Sequence, residues 1–264
     1  MKRNKAFTLI ELVVVMVLLG VAGGVTVSFL WQGTKMYVGI SSRTQLAAIS
    51  HNLFARLRIQ IENSMPYSIS VSENIYSSGS GAMLSLTIPV ERYRVADIKE
   101  GQYLYLPLAE NDVLCSSGLS NYRLKYLKLD HSYGVLELKN VMTPDDVSVS
   151  SSCTAGVYKV KVTSFGDDPY ISGGTVMYLT DSQSDKKYYQ STQGHLFYKQ
   201  GDGSAVPLNN PAEGEHGAKV DIFKLNDGTY SNGQNGVTVS VKLSSGDDFI
   251  TVSQRFELHS SVDF

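Results

Sequence analysis

A chain of 264 residues, 42% of them hydrophobic and 18% charged, has a globular composition and room for one domain of about 200 residues or two small ones. The formal net charge of -2 provides no basic excess, which argues against nucleic acid as a partner. The charge is uneven: Lys2, Arg3 and Lys5 crowd the N-terminus, so the rest of the chain is more acidic than the total.

Directly after these cations the chain turns apolar. Leu12 to Leu30, LVVVMVLLGVAGGVTVSFL, carries no charge, and its only polar side chains are Thr26 and Ser28. As a helix it rises about 28 Å, close to the ~30 Å of a bilayer's hydrocarbon. The segment can span, the preceding cations would stay in the cytoplasm, and the remainder would lie outside. Glu11 stands at the front edge of this run. A charge at the centre of a spanning helix costs about 2.5–3.5 kcal/mol on insertion scales, and less near an end. A secretory signal peptide fits poorly, because the run is long and no small-x-small cleavage site follows it before Trp31. A buried core helix leaves Lys2, Arg3 and Lys5 unexplained. A plain signal anchor explains everything except Glu11.

Beyond Trp31 the pattern is that of an amphipathic helix. Ile40, Leu46, Ile49, Leu53 and Leu57 recur at helical spacing, with Arg43, Gln45, Asn52 and Arg56 between them. Pro66 ends the run, since proline cannot continue a helix. A helix from Phe7 to Ser64 would be ~87 Å long, its first part in lipid and its second presenting an apolar stripe to a folded body.

The period then drops to two. YSISV from Tyr67, MLSLTIPV from Met83 and VYKVKVTSF from Val157 alternate like half-buried strands, and YLYLPL and LFYKQ are further candidates. GVTVSVKL and FITVSQRFEL flank the polar cluster Ser244-Ser245-Gly246-Asp247-Asp248 and predict a terminal β-hairpin. LNNPAEGEHGAK reads as a long loop, and no internal repeat or domain break stands out. The expected fold class is α+β: a long N-terminal helix, transmembrane in its first half, packed on a mostly antiparallel β-sheet domain.

Two cysteines occur, Cys115 and Cys153, in no zinc-binding or C-x-x-C arrangement. If the body is exported, a disulfide between them is the default, and two unrelated buried thiols are the alternative. The histidines (His51, His131, His195, His216 and His259) form no H-E-x-x-H. His51 reads as a solvated position on the helix. GDGSAVP at Gly201 reads as a turn, without G-x-S-x-G or P-loop spacing. Asp167-Asp168 and Asp247-Asp248 are paired acids in turn contexts, and no EF-hand spacing supports a calcium site there. No catalytic residue, cofactor or metal site is expected, and the chain is not expected to be an enzyme. Its 16 tyrosines against one tryptophan suit either a contact surface or ordinary strands.

The stretch K-A-F-T-L-I-E-L-V resembles the class III signal of type IV prepilins; Phe-Thr-Leu-Ile-Glu matches residue for residue, and Ala6 stands where glycine is usual. The resemblance implies a leader of residues 1–6, cleavage by the prepilin peptidase between Ala6 and Phe7, and N-methylation of Phe7. It implies that Glu11 is the subunit-assembly charge that meets the terminal amine of a neighbouring subunit. Gly20, Gly23 and Gly24 lie at the depth where helices of the family loosen in filaments, although the proline often found further along is missing. Residues 7–30 are then the transmembrane and assembly helix. Residues 31–264 are a pilin-like periplasmic domain that includes the amphipathic helix to about residue 65. The implied partners are other major and minor pilins through the N-terminal helix, the prepilin peptidase, the inner-membrane assembly platform and membrane lipid, with no nucleic acid.

The order of prepilin helix, RLRIQIENSMPYSISV, sheet and terminal hairpin is similar to the larger minor pilins, such as the MshO type of the mannose-sensitive haemagglutinin (MSHA) pilus. That likeness implies a priming or tip role in type IV pilus assembly, from the inner membrane to the pilus or cell surface. In outline it is shared with the larger minor pseudopilins of type II secretion systems, and a pilus-tip adhesin would carry the same anchor.

Overall fold

A computed structural model describes residues 9–73, 82–116, 118–149, 151–191, 195–209, 219–227, 236–245 and 248–257. Helix α1, Leu9–Glu62, runs unbroken for 54 residues, or about 81 Å. It contains no proline, and it ends where polar groups take over its last carbonyls. Asn63 Nδ2 donates to Ile59 O at 2.8 Å, and Ser64 Oγ donates to Ile61 O at 2.7 Å.

Fifteen strands follow among the described residues. The first five are β1 (Ser70–Glu73), β2 (Ala82–Thr87), β3 (Glu91–Arg94), β4 (Asp97–Lys99) and β5 (Tyr103–Leu108). After two short 3-10 turns come β6 (Arg123–Leu127), β7 (Tyr133–Met142), β8 (Gly156–Val162), β9 (Val176–Thr180) and β10 (Asp185–Gln190). The last are β11 (Leu196–Gln200), β12 (Val206–Pro207), β13 (Lys219–Asp227), β14 (Gly236–Ser245) and β15 (Asp248–Glu257). All the paired strands are antiparallel. The α+β layout expected from periodicity is the layout of the structure.

The terminal hairpin is β14–β15, with Ser245 opposite Asp248; Gly246 and Asp247 lie outside the described residues. YSISV is strand only from Ser70, because Tyr67 takes a left-handed φ of 58° as the chain turns out of α1. MLSLTIPV stops at Thr87, before Pro89, which has no N–H to give a ladder. VYKVKVTSF ends at Val162. Of the predicted loop LNNPAEGEHGAK, residues 210–218 lie outside the described residues, and its last residue, Lys219, opens β13.

Two cores form. The first collects on α1, where Leu46, Leu53, Phe54, Leu57 and Ile61 are buried and face two sheets. These are β13-β14-β15 and the five-stranded β1-β2-β10-β11-β12. Phe54 stacks on Phe256 at 6.1 Å, and Gln60 Oε1 accepts from the buried Tyr188 hydroxyl at 2.7 Å. The predicted stripe is shifted toward the C-terminus. Ile49 is only partly covered and Ile40 is 58% exposed, because the covered face runs through Gly39, Ser42, Leu46, Ser50 and Leu53 and both residues lie to its side.

The second core is independent of the helix. Seven strands form a sheet in the order β3-β9-β6-β7-β8-β5-β4. Its two edge strands, β3 and β4, are joined by Val95 and Ala96 alone. The ladder continues through that link: Val95 N donates to Thr175 O at 2.9 Å, and Ala96 N donates to Tyr105 O at 2.7 Å. The edges therefore meet and the sheet closes into a small barrel. Its interior is filled by inward residues of alternating parity, among them Leu104, Leu124, Leu136, Val160 and Met177. The barrel is an insertion in the five-stranded sheet. β2 and β10 are ladder neighbours, with Thr87 opposite Asp185, and the chain leaves and returns at one point, where Ile88 N donates to Ser184 O at 2.9 Å.

Gly134 shows how tightly this core is filled. It lies opposite Tyr126 in the β6–β7 ladder, and a Cβ added there would fall inside the Tyr126 ring. The ring cannot swing away, because it is buried and its hydroxyl donates to Asp168 Oδ2 at 2.6 Å. Gly134→Ala is therefore expected to destabilise the protein by about 1–3 kcal/mol, the range for overpacking a filled core. Urea unfolding of the detergent-solubilised chain measures this, and an unchanged midpoint would mean that the ring has room to move.

Candidate functional site

The functional segment is the part of α1 that the body leaves bare. From Leu9 to Ser41 only Gly39 is even partly covered, a length of about 50 Å. Its apolar side chains, among them Leu18, Leu19, Val25, Phe29 and Leu30, are more than half exposed. No charge occurs between Glu11 and Lys35. The two threonines inside this stretch bond within the helix: Thr26 Oγ1 donates to Ala22 O and Thr34 Oγ1 to Leu30 O, both at 2.8 Å. Such internal satisfaction is what lipid demands of a spanning helix. This is one helix long and apolar enough to cross a membrane, and it fits a membrane-anchored protein.

The exit from the apolar stretch is marked by groups that suit a membrane surface. Lys35 Nζ lies 5.3 Å from the centroid of the Trp31 ring, one turn back, and Tyr37 is 73% exposed. Aromatic and cationic side chains gather where hydrocarbon gives way to water. One turn further on, the body takes hold of the helix. Arg43 Nε donates to Asp248 Oδ1 at 2.9 Å, and Asp248 Oδ2 also stands against Gly39. The first acid of β15 thus anchors the terminal hairpin to the neck of the helix. The Trp31–Lys35 pair could have been read from its i,i+4 spacing. The Arg43–Asp248 pair could not, since 205 positions separate its members.

Glu11 is exposed on the first described turns of α1. Gly20, Gly23 and Gly24 are helical here, and each faces open space. Ala6 and Phe7 lie outside the described residues. The structure joins Cys115 to Cys153 in a disulfide at one end of the barrel, far along the chain from the helix.

The other polar candidates have structural partners. Asp168 accepts from the Tyr126 hydroxyl and from Tyr170 N, and these bonds hold its carboxyl below the ordinary range. Burial first, and then this carboxylate, push the Tyr126 hydroxyl up to about 12. Burial and the bond to Asp112 raise Tyr93 in the same way. His131 stacks on Tyr67 at 4.1 Å and His195 on Phe197 at 5.5 Å, while His51 is exposed on α1. His216, Asp247 and His259 lie outside the described residues. Among the described residues no group of three or more His, Cys, Asp or Glu side chains is placed to hold a metal ion. At Gly201 the chain makes a turn, with a φ of 51°.

Residues 1–27 match a family model described as the prokaryotic N-terminal methylation motif. No curated protein and no solved structure matches the chain. The match is confined to the N-terminal segment and supports a type IV prepilin-like protein, of the pilin or pseudopilin kind. It implies processing by a prepilin peptidase and assembly with other pilins.

Proposed function

We propose that the chain is a minor pilin that takes part in assembly of a type IV pilus of the MSHA kind, in a priming or tip complex, and that it catalyses no reaction. The observation that carries this reading is a methylation motif at residues 1–27 leading into a bare apolar helix with a carboxylate, Glu11, near its start. Cleavage between Ala6 and Phe7 removes leader residues 1–6 and creates an amine that is methylated. Residues 7–30 hold the protein in the inner membrane with residues 31–264 in the periplasm, until the helix packs among those of other subunits. The Cys115–Cys153 disulfide supports an oxidising compartment for the body. The inserted barrel gives one specific reason to keep a tip adhesin as a second reading, since it is a separate lobe that assembly through the helix does not use. A minor pseudopilin of a type II secretion system shares the anchor.

The mature N-terminus tests the core of this proposal. Mass spectrometry of the protein from membranes of a host with a prepilin peptidase is expected to find a chain that begins at methylated Phe7. An intact Met1, or a cut beyond Leu30, would leave a plain anchor or a secreted domain.

A further inference from the structure

One face of the barrel's outer wall carries charge opposite in sign to the chain as a whole. In register across the strands, Lys99 lies opposite Tyr103, Tyr103 opposite Lys161, and Lys161 opposite Asn140; one row along, Tyr105 lies opposite Lys159. Each of these residues alternates with an inward core residue and belongs to the outer wall, where Lys159 is largely covered, its side chain 16% exposed. Lys139 follows on β7, and Arg123 and Lys125 on β6. The loop after β7 borders one side of it, where Asn140 Nδ2 donates to Ser148 Oγ at 2.9 Å.

The cations are held in place. Lys159 Nζ lies 4.3 Å and Lys161 Nζ 5.8 Å from the centre of the Tyr103 ring, and Lys99 Nζ lies 5.2 Å from that of Tyr105. Lys159 also meets Asp146, and Arg123 and Lys139 share Glu137 at 3.6 and 3.5 Å. At about 4.8 Å per strand, the band from β4 to β6 is roughly 19 Å across, with cations on β4, β8, β7 and β6 and the acids Asp97 and Glu137 set among them.

We propose that this wall binds an acidic polysaccharide. Charge complementarity selects an anionic partner, since the cations cluster here on a chain of net charge -2. The pattern then selects among polyanions. A nucleic acid strand carries a charge on every nucleotide with no neutral unit between, and Glu137 and Asp97 would stand against such a run. The tyrosine rings are capped by ammonium groups and offer no platform for bases. A polysaccharide with one carboxylate per sugar or per few sugars presents sparser anions with hydroxyls between them. The lysines take its carboxylates. Glu137, Asp97, Asn140 and the tyrosine hydroxyls exchange hydrogen bonds with the sugar hydroxyls. This goes beyond the assembly role, and it stands whether or not the chain is a pilin.

The test titrates the full chain in neutral detergent with alginate, beside dextran, single-stranded DNA and poly-glutamate. Alginate is expected to bind in a salt-sensitive way and dextran not at all. Lys139→Glu with Lys161→Glu is expected to weaken alginate binding roughly tenfold or more, as for charges at an interface. Arg58→Glu with Lys186→Glu, the same charge change placed away from the barrel wall, is expected to leave it near wild type. Lys139→Gln with Lys161→Gln provides a milder pair should the reversed charges disturb folding, and is expected to weaken binding in the same direction. No binding of alginate, equal loss in the distant pair, or tighter binding of DNA or poly-glutamate through the same lysines would overturn the proposal.

Discussion

Glu11→Ala is expected to enter the membrane as well as the wild type and to be lost from filaments. Insertion is not harmed, because the change removes a charge whose cost in lipid is positive at every depth. Assembly is harmed because two charges in a low-dielectric medium are each costly alone and attract strongly together. Next to the bare apolar face of α1, no cation follows Glu11 until Lys35, at the far end of the charge-free stretch. Under the proposed assembly its partner is the processed amine of a neighbouring subunit. Removing one member of a buried pair costs about 3–5 kcal/mol, because the other is left unpaired, and that exceeds a hundredfold in an equilibrium at roughly 1.4 kcal/mol per tenfold. Immunoblots of sheared filaments against membrane fractions read both halves of the prediction. Wild-type incorporation of Glu11→Ala would end the pairing argument. Failure of the variant to reach the membrane would show that Glu11 acts earlier, in targeting.

The parts of this molecule that could be read from sequence are those whose partners are set by local period. The length of α1, its apolar first half and the β14–β15 hairpin all follow from spacing along a single segment. The stripe on α1 was legible as a pattern, but where it begins was not. Ile40 stays exposed because the hairpin grips the face that carries Gly39 and Arg43, and Ile40 points away from it. The barrel was hidden for a different reason. Its closure depends on β3 and β4, which are four and three residues long and carry little alternation of their own. They become one continuous wall only because Val95 pairs beside β9, far along the chain, while Ala96 pairs to the neighbouring β5. The insertion between β2 and β10 hid itself in the same way, since neither strand signals that its neighbour lies about a hundred residues on. The Lys–Tyr band inherits that opacity: β4, β5, β8, β7 and β6 are adjacent only once the barrel is closed.

That two-core architecture shapes the effect expected of Cys115→Ser and of Cys153→Ser. Both half-cystines are nearly inaccessible, at 1% and 7% exposure, and they close a loop with a sequence separation of 38. In the chain-entropy account such a loop is worth about 4 kcal/mol, large against the ~5–15 kcal/mol that holds an ordinary domain. The bond also fixes one end of the barrel. Cys115 ends a 3-10 turn capped by Asp112, whose carboxylate accepts from Leu114 N and from the buried Tyr93 hydroxyl. The carbonyl of Cys153 accepts from Asn111 N at 2.9 Å. Loss of the bond therefore loosens the segment at that end of the barrel, while the helix and hairpin keep their own core. Hydrogen exchange is expected to show faster exchange in β5–β8 and unchanged protection in α1 from Leu46 to Ile61 and in β14–β15. The two single variants and the double should agree, because each removes the same bond. Unequal defects would mean that one thiol contributes packing the other does not. Loss of protection across α1 and β14–β15 as well would mean that the two cores fold as one unit, joined through Ile88 to Val90 and Asp181 to Ser184 more tightly than their separate packing implies.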